Sequence, residues 1–206
     1  MKPERIRELL RPYLSPLPGG IEYKVQKYMA LLQRWGARMP LTSIHDPEAI
    51  VRFHFGESIF ALEAATIKNG RLADVGSGAG FPGLPIKLAN PGLSVILIES
   101  NRKKCAFLHE VTRSLELDNV QIVSSEFESS PIDSDSLSFV TSRALRQHKR
   151  ILDWAHEKLA CRGSVLLWIG LDDATVIRSL GSWDWGAPRL IPGTRSRFLL
   201  PGGKMS

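Results

Sequence analysis

The sequence predicts an α/β protein, a mostly parallel, doubly wound sheet preceded by an N-terminal helical extension. Three observations carry that expectation. From Asn69-Gly70 onward, short apolar runs alternate with helix-like segments, the rhythm of parallel strands joined by crossover helices. The first apolar run ends in a glycine-dense turn, LADVGSGAGFPGLP at Leu72–Pro85. The residues before it carry helical stripes and no strand-like alternation. The expected division is residues 1–66 as a helical cap and 67–206 as the sheet domain, packed as one compact unit.

Within the extension, Ile6, Leu9, Leu10 and Tyr13 recur at helical spacing over Pro3–Leu14, and Pro16, Pro18, Gly19 and Gly20 break that helix. A second helix is expected over Glu22–Met39, with Val25, Tyr28, Met29, Leu32 and Trp35 on one stripe and Lys24, Lys27 and Arg34 largely opposite. Asp46-Pro47-Glu48 is a helix start: Asp46 caps, Pro47 takes the first position and Glu48 sits in the positive first turn. This third helix runs into Ala61–Ala65, with an interruption near Gly56. Strands are expected at Arg71–Val75, Ser94–Glu99, Val120–Val123, Leu137–Ser142 and Ser164–Ile169. Helices fall between them, after Pro82 and over Asn101–Leu115 and Arg146–Leu159, and Gly181–Gly193, rich in Trp, Pro and Gly, reads as a loop.

At 206 residues and 43% apolar composition the chain can bury a substantial core. It has no run of 18 apolar residues, and MKPERIRELLRPYL interleaves charge with apolar positions, so a cytoplasmic protein without a signal peptide or membrane span is expected. Cys105 and Cys161 are far apart and outside any C-x-x-C, which disfavours a disulfide framework or cysteine metal site. Both read as buried thiols, and no metal is expected. The net charge of +6 is unevenly spread. An acidic stretch before Ser142 is followed by Arg143, Arg146, Lys149 and Arg150, and a second basic block holds Arg189, Arg195, Arg197 and Lys204. Such blocks suit a polyanion approaching one face.

Ligands of doubly wound sheets collect at the carboxyl ends of the strands. Strand one ends at Asp74 and the loop of Gly76, Gly78, Gly80 and Gly83, whose bare main chain admits a ligand that side chains would obstruct. Two patterns overlap there. Gly78-x-Gly80-x-x-Gly83 is the dinucleotide fingerprint, whereas Asp74-x-Gly76-x-Gly78-x-Gly80 is the pattern of S-adenosylmethionine-dependent methyltransferases. A carboxylate beside the loop opposes a pyrophosphate and favours a sulfonium. Glu99, 23 residues after Gly76, is placed to accept hydrogen bonds from ribose hydroxyls, a role that serves either cofactor. Glu126 and Glu128 are candidates for an adenine amino group, and Phe81 or Phe127 for the ring face.

The stretches PLTSI (Pro40–Ile44), DPEAIVRFHFGES (Asp46–Ser58), DVGSGAGFPGLP (Asp74–Pro85), IESNRKKCAFL (Ile98–Leu108) and VTSRAL (Val140–Leu145) occur in an order that resembles the RsmG family, also called glucose-inhibited division protein B. The resemblance implies a Rossmann-like class I methyltransferase fold and S-adenosyl-L-methionine as cofactor. It further implies methylation of guanine N7 in small-subunit ribosomal RNA by a monomer. Carried over position by position, it implicates Gly76, Phe81, Phe127, Glu128 and Arg143 in cofactor contact, with Glu99 on the ribose. Lys103, Lys104, Arg143 and Arg146 fall where RNA phosphates would approach. The chain departs from the family's usual asparagines at Gly36 and Pro40, its Asp at Glu57, its Arg near Glu126 and its Lys-Gly pair at Ile169-Gly170. These departures bear on substrate contacts more than on the cofactor. His54, between Phe53 and Phe55, reads as a packed helix residue. No general base is assigned, because N7 has a free lone pair and no proton to lose. Two other readings are carried forward: a non-catalytic RNA-binding or ribosome-assembly factor, and an NAD-dependent oxidoreductase, which would lack a hydride-transfer set and carry Pro82 inside its fingerprint.

Overall fold

The architecture is that of a computed structural model describing residues 1–65, 67–143, 147–180 and 182–205. The extension holds α1 (Pro3–Leu10), α2 (Ile21–Gly36), α3 (Pro47–Ile50) and α4 (Glu57–Ala64), the last two joined by a π-helical turn over Val51–Gly56. Asp46 caps α3 as expected, its carboxylate accepting the Ala49 N–H at 2.7 Å. The expected interruption at Gly56 takes the form of that wider turn. A side chain on Gly56 would press into the Tyr13 ring, 2.5 Å from Cε2, so the helix has a bare backbone where the segment after α1 crosses it.

The sheet begins with β1 (Arg71–Val75), followed by α5 (Gly83–Ala89), β2 (Ser94–Ile98), α6 (Arg102–Ser114), β3 (Val120–Val123), β4 (Leu137–Arg143), α7 (His148–Lys158) and β5 (Leu159–Gly170). These five strands are parallel, in the order β3-β2-β1-β4-β5. After α8 (Leu171–Arg178) come β6 (Trp183–Trp185), β7 (Arg189–Leu190) and β8 (Arg197–Lys204). β8 lies antiparallel against β5, and β6 and β7 pair with β8.

The structure corrects two expectations here. Gly181–Gly193, read as a loop, contains β6 and β7, and the basic tail contains a strand that joins the main sheet. The signal was hidden by Pro201-Gly202-Gly203, which punctuates the β8 sequence. Gly202 is bare because the Trp185 ring lies on it, with Cζ3 only 2.5 Å from where a Cβ would stand. A third expectation also fails: Cys161 is exposed at the start of β5, while Cys105 is buried and donates its thiol to the Glu99 carbonyl.

Alternate residues of the strands feed two apolar layers, as parallel strands covered on both sides require. Leu72, Val95 and Leu97 face α5, α6 and the helices of the extension, which contribute Ile6, Leu10, Val25 and Ile59 to the same continuous cluster. Ala73, Val75, Ile96 and Ile98 face α7 and α8. Polar contacts fix the extension on the first layer. The buried Tyr28 hydroxyl on α2 donates to the Ala79 carbonyl in the glycine turn at 2.6 Å, and Trp35 Nε1 donates to Glu110 Oε2 on α6 at 2.7 Å. Replacing Tyr28 by Phe removes the only one of these bonds that reaches the turn and strands a carbonyl. We expect a loss of about 1–3 kcal/mol in urea unfolding, the usual cost of a buried group left unpaired.

Candidate functional site

Beyond β1 the chain turns through Gly76–Gly80, and the Asp74 carboxylate organises that turn from behind. Asp74 is fully buried, at 0% exposure. Its Oδ2 accepts the Gly83 N–H at 3.0 Å and its Oδ1 accepts the Thr141 hydroxyl of β4 at 2.9 Å. Burial pushes its carboxyl up to about 6, against the pull of those hydrogen bonds. The residue expected to face a cationic ligand therefore supports the loop from beneath.

The glycines divide in the same way. At Gly80, φ is +86° and a Cβ would collide with the Tyr28 hydroxyl and come within 2.7 Å of Leu84 Cδ1. At Gly83 it would stand 2.7 Å from Leu97 Cδ2 and 2.9 Å from Asp74 Oδ2. Both are packing glycines. At Gly78 a Cβ would meet nothing nearer than the Gly76 carbonyl, 3.8 Å away. Gly78 is where the main chain is bare toward open space.

That space is a groove of about 230 Å³ at the carboxyl ends of β1, β2 and β3, lined among others by Gly76, Gly78, Glu99, Lys104, Ser125 and Phe127. Glu99 Oε2 accepts the Gly78 N–H and Oε1 accepts the Asn101 N–H, both at 2.8 Å. The cap of α6 is Asn101, whose Oδ1 accepts from the Lys103 and Lys104 amides. Each Glu99 oxygen thus retains acceptor capacity toward the groove. Phe127 is held edge-on by Trp154, with centroids 5.8 Å apart.

Other expected residues lie elsewhere. Phe81 packs behind the loop, stacked on His54 at 4.7 Å and on Tyr28 at 5.5 Å. Glu128 is exposed and paired with Arg150. Lys103 is exposed, whereas Lys104, expected toward RNA, lines the groove. Arg143 is turned to the extension, its Nη2 donating to His54 Nδ1 at 2.7 Å. Arg146 lies outside the described residues. Sequence reasoning missed Ser125, whose buried Oγ has no hydrogen-bond partner among the described residues. Its only sequence signal was its place just after β3.

His54 is held at its other nitrogen by Thr42 Oγ1, at 2.6 Å. Burial, reinforced by the positive charges of Arg143 and Arg197, lowers His54 to about 3, so it is neutral at physiological pH. Among the described residues that line the groove there is no nucleophile–base pair. What it offers is a bare glycine turn, a carboxylate with spare acceptor capacity, an aromatic wall and an orphaned hydroxyl, a set that fits a nucleoside lying across Gly78. Gly83, the last glycine of the overlapping G-x-G-x-x-G, packs α5 against Leu97 of β2 and gives its N–H to Asp74, a packing role that it would serve in either pattern. A larger concavity of about 660 Å³ in the extension, between the end of α2 and α3, is lined by no residue from the strand ends. Among the described residues, no helix is long and apolar enough to cross a membrane, and no group of three or more His, Cys, Asp or Glu is placed to hold a metal.

Comparison with known proteins gives a consistent result. A family model described as rRNA small subunit methyltransferase G matches residues 21–180. A protein of Nitrosospira multiformis named ribosomal RNA small subunit methyltransferase G is 42% identical over 105 residues, which span 51% of this chain and 48% of that protein. One of the same name from Roseiflexus castenholzii is 36% identical over 185 residues, covering 84% of this chain and 79% of its own. Among solved structures, a SAM dependent methyltransferase from Aquifex aeolicus matches with a TM-score of 0.63 over 100% of both chains at 14% identity, a likeness of fold.

Two outcomes test this geometry. Gly78→Val should abolish binding of S-adenosylmethionine in titration calorimetry, because its side chain takes the open space and, at a φ of +57°, also strains the turn that presents the main chain. Gly80→Ala should instead lower stability by about 1–3 kcal/mol, the range for overpacking a filled site. For Asp74, a folded value of about 6 lies above the unfolded value of about 3.9. The native state then binds more protons between those values, so stability falls as pH rises from about 4 to about 6 and levels off above. Relative to Asp74→Asn, the wild type should lose on the order of 3 kcal/mol across that window in urea melts. A flat difference would show that the carboxyl ionises at no cost.

Proposed function

Because the chain belongs to the GidB family, the rRNA small subunit methyltransferases G, we propose that it transfers a methyl group from S-adenosyl-L-methionine to N7 of a guanine in small-subunit (16S) ribosomal RNA. The observation that carries the cofactor half of this reading is the groove over Gly78, bare toward open space beside Glu99. Gly76 and Gly78 present main chain to the nucleoside, Glu99 accepts from the ribose hydroxyls, and Phe127 forms the wall against the adenine. Ser125 and Glu126 offer polar atoms to the adenine edge. Asp74, Gly80 and Phe81 act one layer back, keeping the turn in shape. Glu128 acts at the rim, and Lys103, Lys104 and Arg146 meet the RNA backbone.

When bound, the cofactor supplies a methyl group made electrophilic by its sulfonium. Guanine N7 has a lone pair and no proton, so no side chain must act as base, and a neutral, doubly hydrogen-bonded His54 agrees with that. The protein's work is alignment and exclusion of water, which is proximity catalysis. In this reading residues 1–66 form a cap over the domain of residues 67–206, sharing its apolar layer, and the protein acts as a cytoplasmic monomer. An assembly factor without activity and an NAD-dependent oxidoreductase draw no support from the family match.

The decisive experiment uses small subunits from a strain lacking the gene. The purified protein with labelled S-adenosylmethionine should restore one N7-methylguanosine per particle, read by mass spectrometry of the digested RNA. Particles already methylated in the absence of the gene would overturn the reading.

A further inference from the structure

On the other side of β1 from the cofactor groove, the carboxyl ends of β4 and β5 and the start of α4 enclose a second cavity of about 190 Å³. Glu57, Arg143, Trp168, Gly170 and Arg197 are among its walls. Its charged groups are pinned but not matched. Arg197 Nη1 on β8 donates to Glu57 Oε1 at 2.6 Å, and Trp168 Nε1 donates to the Glu57 carbonyl at 2.9 Å. Arg143 is committed through Nη2 to His54, which is fixed in turn by Thr42 and by stacking on Phe81. That leaves Arg143 Nη1 buried and without a hydrogen bond among the described residues. It stands 3.9 Å from Glu57 Oε2, beyond hydrogen-bond reach, and Oε2 accepts no other bond among the described residues.

Burial pushes the Glu57 carboxyl up, while the two guanidinium groups favour its ionised form. A buried guanidinium nitrogen left unpaired beside a free carboxylate oxygen is uncommon in folded proteins and calls for a reason. Both side chains are held by their second atoms, so they present a fixed donor next to a fixed acceptor. The complement of such a pair is a planar edge with an acceptor next to a donor.

Guanine has that edge in O6 and N1–H. Adenine has the reverse, an amino donor next to an N1 acceptor. We propose that this cavity receives the target guanine, with O6 accepting from Arg143 Nη1 and N1–H donating to Glu57 Oε2, so that these two residues set the choice of guanine over adenine. The assignment rests on the methyltransferase reading above. A base gripped through O6 and N1–H keeps N7 free of protein hydrogen bonds, as a methyl acceptor must. Trp168 supplies the apolar wall that a base taken out of its stack requires. A site built to pair particular polar groups rejects an analogue with the wrong ones far more strongly than a shape-selective pocket does.

The test uses small subunits reconstituted with either guanosine or adenosine at the nucleotide that the wild-type protein methylates. Wild type should prefer guanosine by about 100-fold or more in kcat/KM. Glu57→Gln, whose amide can face either base, should lower the guanosine value by about 100-fold and narrow the preference to less than about 10-fold. Its dissociation constant for S-adenosylmethionine should stay within about two-fold of wild type, since Glu57 is outside that groove. Glu57→Asp, which keeps a carboxylate, should recover much of the preference. Equal methylation of both particles by the wild type, or a Glu57→Gln enzyme with unchanged rate and preference, would overturn the assignment while leaving the methyltransferase reading intact. No transfer by the wild type to guanosine particles would overturn both. The wild-type comparison stands even if the Glu57 variants fail to fold.

Discussion

A carboxylate with no exposure to water holds the glycine turn in place. Asp74 touches β1, the start of α5 and β4 at once, through its own backbone, the Gly83 amide and the Thr141 hydroxyl. Burying an acid is costly unless its oxygens are hydrogen-bonded, and here they are. Because the turn is anchored from below by Asp74 and from the side by Tyr28, the Gly78 surface can stay bare without collapsing. Shape at the ligand face is thus set by groups that need not touch the ligand.

The same separation of support from contact explains how much of the site was legible. The parallel core, the strand ends and the glycine turn were readable because each depends on local pattern: apolar runs of strand length, crossover helices and a cluster of small residues. Glu99 was readable for the same reason, as an acid closing the second strand. What the sequence did not separate was the front of the turn from its back. Asp74, Gly80 and Phe81 carry the same motif letters as Gly76 and Gly78, yet only the packing of α2 and the π-helical turn against them shows which face they serve. Ser125 was invisible because one serine in a polar stretch has no distinguishing pattern. The β8 strand was obscured by its own Pro and Gly residues, whose role emerges only when Trp185 is laid across Gly202.

The extension does more than cover one face of the sheet. It delivers His54 onto Phe81 and into contact with Arg143, and it brings Glu57 to Arg197. Histidine usually draws attention as a proton carrier, but here desolvation and two neighbouring cations keep it neutral. Its value lies in orientation: with Nδ1 accepting from Arg143, the proton sits on Nε2 and points at Thr42. The guanidinium is thereby aimed by a chain of contacts that begins in the loop after α2.

Arg197 sits on β8, far along the chain and inserted antiparallel between β5 and β6, yet it closes on a residue of the helical extension 140 positions earlier. During synthesis the glycine turn and its groove have all their parts long before that strand emerges. A truncated product ending ahead of β8 would therefore retain the elements of the glycine-turn groove while its neighbouring cavity lacked one wall and β5 presented an unpaired edge. Assembly of the groove and of the cavity beside it is staggered in time by the order of the strands.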